Sequence, residues 1–393
     1  MFTDFVLNSQ GHGPVGEILN GVRYDPGLLR PYIRKDGVRC CTVNTGKMIY
    51  NTAKARYEPR YAEIPINELM ARGVYSPVFN STSLRKEQWI ELDQRVKLAA
   101  RQRLKAWMDL AASSTVGGFD AMARSTYEYE AQSDPGSAVV DMDGLTEGRN
   151  DSPLFKLRSI PLPITHSDFY YSQRRLAISA NGGLPLNLSS AEAAGRRVAE
   201  MVEKTVIGIE TGTSYGYQST GVTAHDSTYG SQIYGYTNFP SRLTKTNFTA
   251  PSGGGWTPET TYNEVLAALD QIYAQYFYGP FIIYHSIDWT QYINRQFSVS
   301  GGNAPGETLR TMLMKIDGVN DVRRLDFLTD TFTLLIVQMT SDVCQAINGM
   351  DITTVQWEEK GGMKQCFKVM AIQLPLLYAD YNDRCGILHG TTA

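Results

Sequence analysis

The stretch SSAEAAGRRVAEMVEKTVIGI, residues 189–209, decides the fold. Small and apolar residues recur along it every three or four positions, as on the buried face of an α-helix: Ala191, Ala194, Val198, Val202, Thr205, Val206 and Ile209. Most of the charged residues lie off this stripe: Glu192, Arg196, Arg197, Glu200, Glu203 and Lys204. Ser189 and Glu192 have the spacing of a capping box. We therefore predict an amphipathic helix over residues 190–209.

A second amphipathic helix is predicted over residues 84–112. Its apolar face has the same spacing and comprises Trp89, Leu92, Val96, Ala99, Ala100, Leu104, Trp107, Met108 and Ala111. Basic residues are interleaved with this face: Arg95, Lys97, Arg101, Arg103 and Lys105. We expect these charges to form a solvated face, and contact with nucleic acid is the alternative.

Residues 1–83 differ from the rest because they are rich in Gly, Pro, Arg, Asn and Tyr and show few helical or strand periods. Such a segment cannot bury enough apolar surface alone, and ordering it costs about 1–2 kcal/mol per residue in backbone entropy. We interpret it as an extended arm, for which the chain's own body or a neighbouring subunit supplies the apolar surface.

Residues 117–159 return to turn signals such as Asp134-Pro135-Gly136. Alternating stretches at Ser125–Tyr129 and Ala138–Met142 predict a two-stranded excursion, and a long hairpin that leaves the body usually has a partner. Asp141, Asp143 and Glu147 resemble part of a calcium loop, but the ligand series of an EF-hand is incomplete and a structural turn is the preferred interpretation.

The remaining sequence mixes helices and strands without βαβ regularity, which predicts the α+β class. Ile160–Ile164 is an extended prolyl segment that suits an edge strand. Thr257 and Pro258 begin a third helix that should run to about Tyr278. Shorter elements are predicted as strands at Phe281–Tyr284, Thr331–Met339 and Lys364–Ile372 and as a helix at Thr308–Ile316.

Composition bounds the possible partners. The 393 residues carry a formal net charge of -3, which does not favour wrapping nucleic acid or adhering to an anionic membrane. No apolar run is long enough to span a bilayer, and Met1–Leu7 shows no secretory signal; we also expect no propeptide removal. The five cysteines, Cys40, Cys41, Cys344, Cys366 and Cys385, lack regular spacing, so we expect reduced thiols, with Cys344 and Cys366 in the core.

Patterns that carry catalysis are missing from the sequence. There is no nucleophile elbow, Walker A loop, zinc-protease motif or dinucleotide fingerprint. No two of the five histidines, His12, His166, His225, His285 and His389, have metal-ligand spacing, and each is expected to be a surface or hydrogen-bonded residue. We therefore expect no enzymatic activity, no cofactor and no metal ion.

Several segments follow one another in a familiar order: Lys86–Leu110, Ile160–Ile164, Phe169 with Arg174–Leu176, Ser189–Ile209, Ile233–Pro240, Val265–Leu269, Gly279–Phe281, Val355–Trp357 and Arg384–Ile387. This colinear set resembles the major capsid fold shared by tailed-phage shells and encapsulins, over roughly residues 84–390. The long segment before the first helix is more similar to phage coats, since encapsulins begin close to that helix.

The resemblance implies a division into five parts. These are an extended N-terminal arm at 1–83, an N-terminal helix at 84–116, an E-loop at 117–159, a peripheral domain at 160–256 and 353–393 built around a spine helix at 190–209, and an axial domain at 257–352. It further implies a virion protein that forms pentamers and hexamers and, through non-covalent contacts, the icosahedral shell around a double-stranded DNA genome.

The implied partners are other copies of the chain and a portal protein, with scaffold and cement proteins as further candidates. Packaged DNA would be contacted non-specifically, assembly would take place in the host cytoplasm, and no membrane is involved. The candidate inter-subunit contacts are Tyr24, Arg30, Tyr32, Tyr127, Tyr129, Asp141, Asp143, Arg149, Arg196 and Arg197.

Three alternatives remain open at this stage. An encapsulin-type shell would house cargo enzymes in place of a genome. A soluble α+β enzyme would need a convergent polar pocket, for which the sequence offers no candidate triad or metal cluster. A sugar- or cell-binding module is suggested by the 23 tyrosines, although tyrosines are equally typical of subunit interfaces.

One member of the resembled fold family links its subunits covalently through an E-loop lysine and a neighbour's asparagine. The present sequence has no lysine between Lys105 and Lys156. We therefore expect purified particles, boiled in detergent, to run on a denaturing gel as a single-chain band. A ladder of linked subunits would contradict this prediction.

Overall fold

The computed structural model describes residues 26–51, 56–71, 84–119, 121–132, 142, 155–180, 188–208, 225–226, 231–252, 256–295, 306–328, 331–380 and 382–392. The helices in these ranges are α1 (Ile66–Ala71), α2 (Lys86–Arg101), α3 (Ala106–Ser113), α4 (Gln173–Ala180), α5 (Ser189–Ile207), α6 (Pro258–Tyr273), α7 (Thr290–Ile293) and α8 (Leu309–Met314), with 3-10 turns at Pro26–Leu29 and Ile287–Trp289.

The strands are β1 (Tyr32–Ile33), β2 (Arg39–Asn51), β3 (Arg56–Pro65), β4 (Leu84–Arg85), β5 (Thr115–Val116), β6 (Thr126–Gln132), β7 (Phe155–Pro161), β8 (Thr165–Ser172), β9 (His225–Asp226), β10 (Ser231–Gln232), β11 (Leu243–Phe248), β12 (Phe281–His285), β13 (Val319–Arg324), β14 (Leu334–Gln338), β15 (Cys344–Glu359), β16 (Lys364–Leu377) and β17 (Ile387–Thr392). Their sheets have the orders β3-β2-β1-β4, β5-β15-β16-β8, β11-β17-β14-β12-β13, β6-β7 and β10-β9. The mixture confirms the α+β class.

Helix α5 is the centre of the larger core. It packs against α2 and against strands β8 and β16, and its predicted stripe from Ala191 to Val206 is buried apart from the partly buried Thr205. On the other side of the contact, Trp89 of α2 meets Phe367 of β16 edge-to-face at 6.0 Å between ring centroids. Each large apolar side chain buried here contributes about 1.5–3 kcal/mol, so this layer supplies much of the stability.

The approach of α2 to α5 is closest at Gly195. A Cβ atom on this residue would lie 2.9 Å from both the Cγ1 atom and the carbonyl oxygen of Val96. Real Cβ atoms do not approach other atoms so closely, so only glycine lets the two helices touch here.

The prediction of one helix over 84–112 is wrong. The chain forms the short strand β4, then α2, and then the separate helix α3. The break changes the helical phase: Leu104 and Trp107 are buried as predicted, whereas Met108 is exposed and Leu110 is buried in its place. A carboxylate from α5 satisfies the first N–H groups of α3, as described below, which stabilises a new helix start.

The basic residues of this region have mixed roles. Arg95, Lys97 and Arg101 are exposed, as predicted for a solvated face. Arg95 also lies 3.6 Å from Glu192 of α5, and Arg103 lies 3.5 Å from Glu200. Such exposed ion pairs contribute about 0–1 kcal/mol each, so they align the helices more than they stabilise them.

The predicted capping box at the start of α5 is also wrong. The helix begins at Ser189, and Leu188 is the N-cap residue, without a side-chain capping bond. The N–H of Glu192 donates to the carbonyl of Leu188 at 3.0 Å, and the Glu192 carboxylate faces Arg95. The Glu192 side chain thus lies beside α2, a contact that the local spacing does not indicate.

Residues 26–71 of the predicted arm contain more strand structure than their composition indicated. The hairpin β2–β3 dominates this part, and Trp89 Nε1 donates to the carbonyl of Pro31 at 3.0 Å. Arg30 forms an ion pair with Asp93 and lies 4.8 Å over the Trp89 ring. The chain's own body thus supplies the apolar surface for this part, and residues 1–25, 52–55 and 72–83 lie outside the described ranges.

The excursion at 117–159 contains a hairpin with a different partner from the predicted one. Strand β6 overlaps the predicted Ser125–Tyr129, but it pairs with β7, in register from Thr126↔Pro161 to Gln132↔Phe155. Residues 138–141 lie outside the described ranges. Lys156 belongs to β7, opposite Ala131, so the absence of lysine on which the cross-link prediction rests applies to residues 106–155 and not to the whole hairpin.

The third helix begins as predicted, because the Thr257 side chain accepts a hydrogen bond from the N–H of Thr260 at 3.3 Å. It ends at Tyr273, five residues earlier than expected. Tyr276 has φ 70, a left-handed conformation that an α-helix cannot contain.

The later elements that were predicted agree with the structure, but the strands β13, β15 and β17 were not predicted. β12, α8 and β14 lie within or beside their expected ranges, while β16 extends to Leu377. The long strand β15 was not predicted over its full length, because every residue except Asp351 is buried or partly buried and the strand lacks alternation between a buried and an exposed face. Two strands of the five-stranded sheet, β11 and β17, come from outside residues 257–352, the range predicted for the axial domain.

We predict that Gly195→Ala destabilises the chain. The added methyl group must displace Val96, and overpacking of this kind costs about 1–3 kcal/mol, more than the gain of about 1 kcal/mol in helix propensity. Chemical denaturation of the unassembled chain measures the difference. Ser190→Ala, at an exposed position of the same helix, is the matched control and should be neutral or slightly stabilising; equal stability of both variants would contradict the close contact.

Candidate subunit interface and buried acidic junction

A buried carboxylate joins α5 to the start of α3. Glu203 is 1% exposed. Its Oε1 atom accepts from the N–H of Ala106 at 2.7 Å, and its Oε2 atom accepts from the N–H of Trp107 at 3.1 Å. The first N–H groups of a helix have no partner within the helix and carry a partial positive charge, so Glu203 caps α3 from a distant part of the chain.

Burial dominates the protonation of this residue. It raises the pKa of Glu203 to about 7, although the backbone N–H groups of Ala106, Trp107 and Lys105 oppose the rise and the nearby Asp109 adds to it. The carboxyl group therefore changes charge near neutral pH, where an ordinary glutamate is ionised.

A second buried acid lies one turn further along α3. Asp109 accepts from the hydroxyl of Tyr284 at 2.8 Å and forms an ion pair with Arg323. Burial raises the pKa of Asp109 even though both partners lower it. The Tyr284 ring stacks on that of Tyr236 at 6.3 Å, and burial raises the pKa of both phenols well above the usual range. This group connects α3 to strands β12 and β13.

The hairpin β6–β7 has two chemically different faces. Tyr127, Tyr129 and Ile160 lie on the inner face and pack with the ends of β15 and β16, and Tyr129 meets Tyr378 edge-to-face at 5.4 Å. The directly paired Glu130 and Leu157 belong to the outer face, where Leu157 is 64% exposed. Burial of this leucine against a second protein chain would remove apolar surface from water.

The outward side of α5 and the arm offer further polar and apolar contacts. Arg196 and Arg197 are exposed beside the buried stripe of α5. Ile49, Tyr50 and Tyr61 of the β2–β3 hairpin are also exposed. Exposed aromatic and arginine side chains are typical of protein–protein interfaces.

Within the described ranges, no three His, Cys, Asp or Glu side chains lie close enough together to hold a metal ion. Among the helices of these ranges, none combines the length and apolar character needed to cross a membrane. All five cysteines lie in the described ranges, where they are buried and form no disulfide, and the core positions predicted for Cys344 and Cys366 are confirmed.

Residues 80–390 match the sequence profile of a family described as Family of unknown function (DUF6260). The chain belongs to this family. No curated protein sequence matches it. Comparison of the fold with solved protein structures does find similar proteins.

The virus-like particle protein from Pyrococcus furiosus is similar in structure, with a TM-score of 0.50 and 15% identity over 77% of this chain and 99% of that one. The DUF6260 protein thus has the shell fold that the sequence predicted. The capsid protein of Myoviridae phage XM1 has a TM-score of 0.49 and 11% identity, over 69% of this chain and 86% of that one. A chain of the satellite phage P4 procapsid has a TM-score of 0.42 and 12% identity, over 77% and 100%.

The residues predicted to contact other subunits fall in separate regions of the DUF6260 protein. Arg196 and Arg197 are exposed on α5. Tyr127 and Tyr129 are partly buried on the inner face of the hairpin, where they pack against their own chain. Arg30 is partly buried in its contacts with Asp93 and Trp89, and Tyr32 is 5% exposed in the core, so neither is a prominent surface residue. Outside the described ranges lie Tyr24, Asp141, Asp143 and Arg149.

Sequence reasoning missed Glu203 and Leu157. Glu203 was assigned to the charged face of the helix, yet it follows Ala199 by four positions and precedes Val206 by three, which is the spacing of the buried stripe. Leu157 was hidden because the second hairpin strand was expected elsewhere. In both cases, the pairing with a distant segment determines the role.

The buried acid predicts an unusual pH dependence. Because the folded-state pKa of Glu203 is about 7, above the ordinary 4.5, the folded chain retains a proton that the unfolded chain releases, and the free energy of unfolding falls as pH rises between these values. Glu203→Gln removes this titration. Relative to wild type, the variant should gain up to about 3 kcal/mol in stability between about pH 5 and about pH 8.

Urea denaturation of both unassembled chains at the two pH values measures this change. Glu200→Gln is the matched control, since it makes the same substitution on the same helix at a partly exposed site beside Arg103, away from the start of α3. Parallel pH profiles for wild type and Glu203→Gln would show that Glu203 does not titrate in this range.

Proposed function

We propose that the protein is the major capsid protein of a tailed bacterial virus, whose copies assemble non-covalently into an icosahedral shell around a double-stranded DNA genome. The observation that carries the proposal is the shell fold, matched over 99% of the chain that forms the Pyrococcus furiosus virus-like particle. A closed shell repeats the same contact many times, so individually modest contacts sum to a stable particle.

The two-faced hairpin supports this role. Its inner face is fixed to the body through Tyr129 and Tyr378, while Glu130 and Leu157 point outward. A rigidly based projection with an exposed apolar side chain is suited to lie on an adjacent copy. Burial of such surface contributes about 25 cal/mol per Å², less the cost of ordering side chains.

The choice of a virus over a cargo-housing shell rests on the region before α2. Residues 26–71 add a 3-10 turn, the long hairpin β2–β3 and helix α1 to the body, and they precede the family match at residue 80. We propose that this region and the exposed Arg196 and Arg197 contact neighbouring copies. The five-part division, assembly in a host cytoplasm, and portal, scaffold and cement partners belong to the same proposal.

An encapsulin-type shell that houses enzymes is the second candidate. The near-complete coverage of the Pyrococcus furiosus chain favours it, because that protein forms a virus-like particle. The two candidates differ in particle content: nucleic acid for a virus, protein cargo for an encapsulin.

Electron microscopy and native mass measurement of particles from the natural source test the proposal. We expect closed particles of megadalton mass that contain double-stranded DNA. Closed particles with a protein cargo and no nucleic acid would favour the second candidate, and a monodisperse monomer or dimer would contradict both.

Leu157→Asp tests the hairpin within this scheme. The charge should prevent burial of the outer face against another copy and reduce particle yield at least about tenfold, while the unassembled chain keeps its thermal midpoint. Leu157→Met is the matched control and should assemble normally. Normal assembly of Leu157→Asp would remove the outer face from the subunit interface.

A further inference from the structure

A basic cleft lies where two parallel strands end against the junction of α2 and α3. β12 and β13 are paired through Tyr284↔Arg323 and His285↔Arg324, so their carboxyl ends are side by side. The cleft has a volume of about 610 Å³ and extends to α7 and α8. Its basic side chains come from four parts of the fold: Arg101, Lys105, Arg310, Arg323 and Arg324.

Carboxylates hold these cations without neutralising them all. Asp326 lies 2.8 Å from both Lys105 and Arg324. Asp321 lies 3.2 Å from Arg310 and 2.7 Å from Arg323, which also pairs with Asp109. Three carboxylates thus face five cations, a local excess of two positive charges in a chain whose net charge is -3.

His285 is a buried polar residue in the wall of this cleft. Its Nδ1 atom lies 2.9 Å from the carbonyl oxygen of Ser286, and a carbonyl only accepts, so Nδ1 carries the hydrogen and Nε2 has a lone pair. Burial, together with the charges of Arg324, Arg310 and Lys105, lowers the pKa of His285 to about 4, although the hydrogen bond to Ser286 opposes this shift. The imidazole therefore lies in the positive potential of the cleft.

Neutral donors complete the lining. Thr290 and Asn294 of the α7 region face the same space, and Asn294 donates to the carbonyl of Thr290 at 2.9 Å. Among the described residues, the buried hydroxyl of Thr290 has no hydrogen-bond partner. This unsatisfied hydroxyl belongs to a residue of the cleft wall, and the half-exposed arginines of the same cleft are donors for an oxyanion.

We propose that this cleft binds a phosphate oxyanion, either free or as part of a nucleic-acid backbone. The excess of two positive charges matches in magnitude the charge of the free phosphate dianion and exceeds that of a backbone phosphodiester, and guanidinium groups bind phosphate oxygens through paired N–H donors. Arg310 and Lys105 supply direct contacts, and the shared carboxylates keep the remaining arginines in position. The cleft is formed by residues of a single chain, so phosphate binding there does not depend on assembly into a shell.

Histidine-labelled full-length chain, kept unassembled, provides the assay. Inorganic phosphate is titrated at constant ionic strength while the ring signals are followed by NMR. We expect a saturable shift of the His285 signals and a rise of the His285 pKa, because a bound anion offsets the neighbouring cations. A linear, unsaturated response would overturn the proposal.

Two variants test the contacts with little damage to the fold. Arg310→Gln leaves Asp321 paired with Arg323, and Lys105→Gln leaves Asp326 paired with Arg324. Each should raise the half-saturating phosphate concentration about tenfold, the effect of one lost charge-assisted hydrogen bond. Lys97→Gln removes the same charge from an exposed site outside the cleft and should leave binding unchanged. An equal loss in all three variants would indicate general charge attraction and overturn the site.

The source of the phosphate is tested by competition. If a short DNA duplex displaces inorganic phosphate and gives the same His285 shift, the ligand is a nucleic-acid backbone; if only inorganic phosphate binds, the ligand is the free anion. Both results support the phosphate site. If His285 responds to assembly and to neither probe, carboxylates of an adjacent copy occupy the cleft and the proposal is wrong, although the shell function would stand.

Discussion

The fold depends on the contact that α5 makes with the two helices before it. At one end, Gly195 lets α2 approach within van der Waals distance at Val96. At the other end, the Glu203 carboxylate binds the first N–H groups of α3. The first contact needs the absence of a side chain and the second needs a buried carboxyl group, so both fix the position of the helices more narrowly than apolar packing could.

The same junction organises the electrostatics of the molecule. Glu203 and Asp109 lie on neighbouring elements, and burial raises the pKa of each. Asp109 leads outward through Arg323 to the basic cleft, where acidic and basic side chains alternate. The acidic side chains of this junction are inside the fold and hold its elements together. The neighbouring basic side chains of the cleft are about half exposed, so a ligand can reach them.

Much of the architecture was predictable from local patterns. The apolar spacing of residues 189–209 identified the central helix, and Thr257 with Pro258 identified the start of another. The patterns failed where a distant segment intervened. Glu203 caps the second of the two helices that take the place of one predicted helix, Glu192 lies beside Arg95 of α2, and β7 pairs with β6 in place of the nearer residues. In each case, the competing partner is distant in sequence and leaves no periodic signal.

The sequence by itself determined the class of fold, the main buried helix faces and the resemblance to shell proteins, because apolar periodicity reports which face of an element avoids water. Only the tertiary structure decided which charges are buried, which face of the hairpin is exposed, and that Lys105, Arg310 and Arg324 converge on one cleft. Charged residues have the same appearance in a sequence whether they face solvent or each other. Their environment depends on contacts between segments that the chain brings together only when it folds.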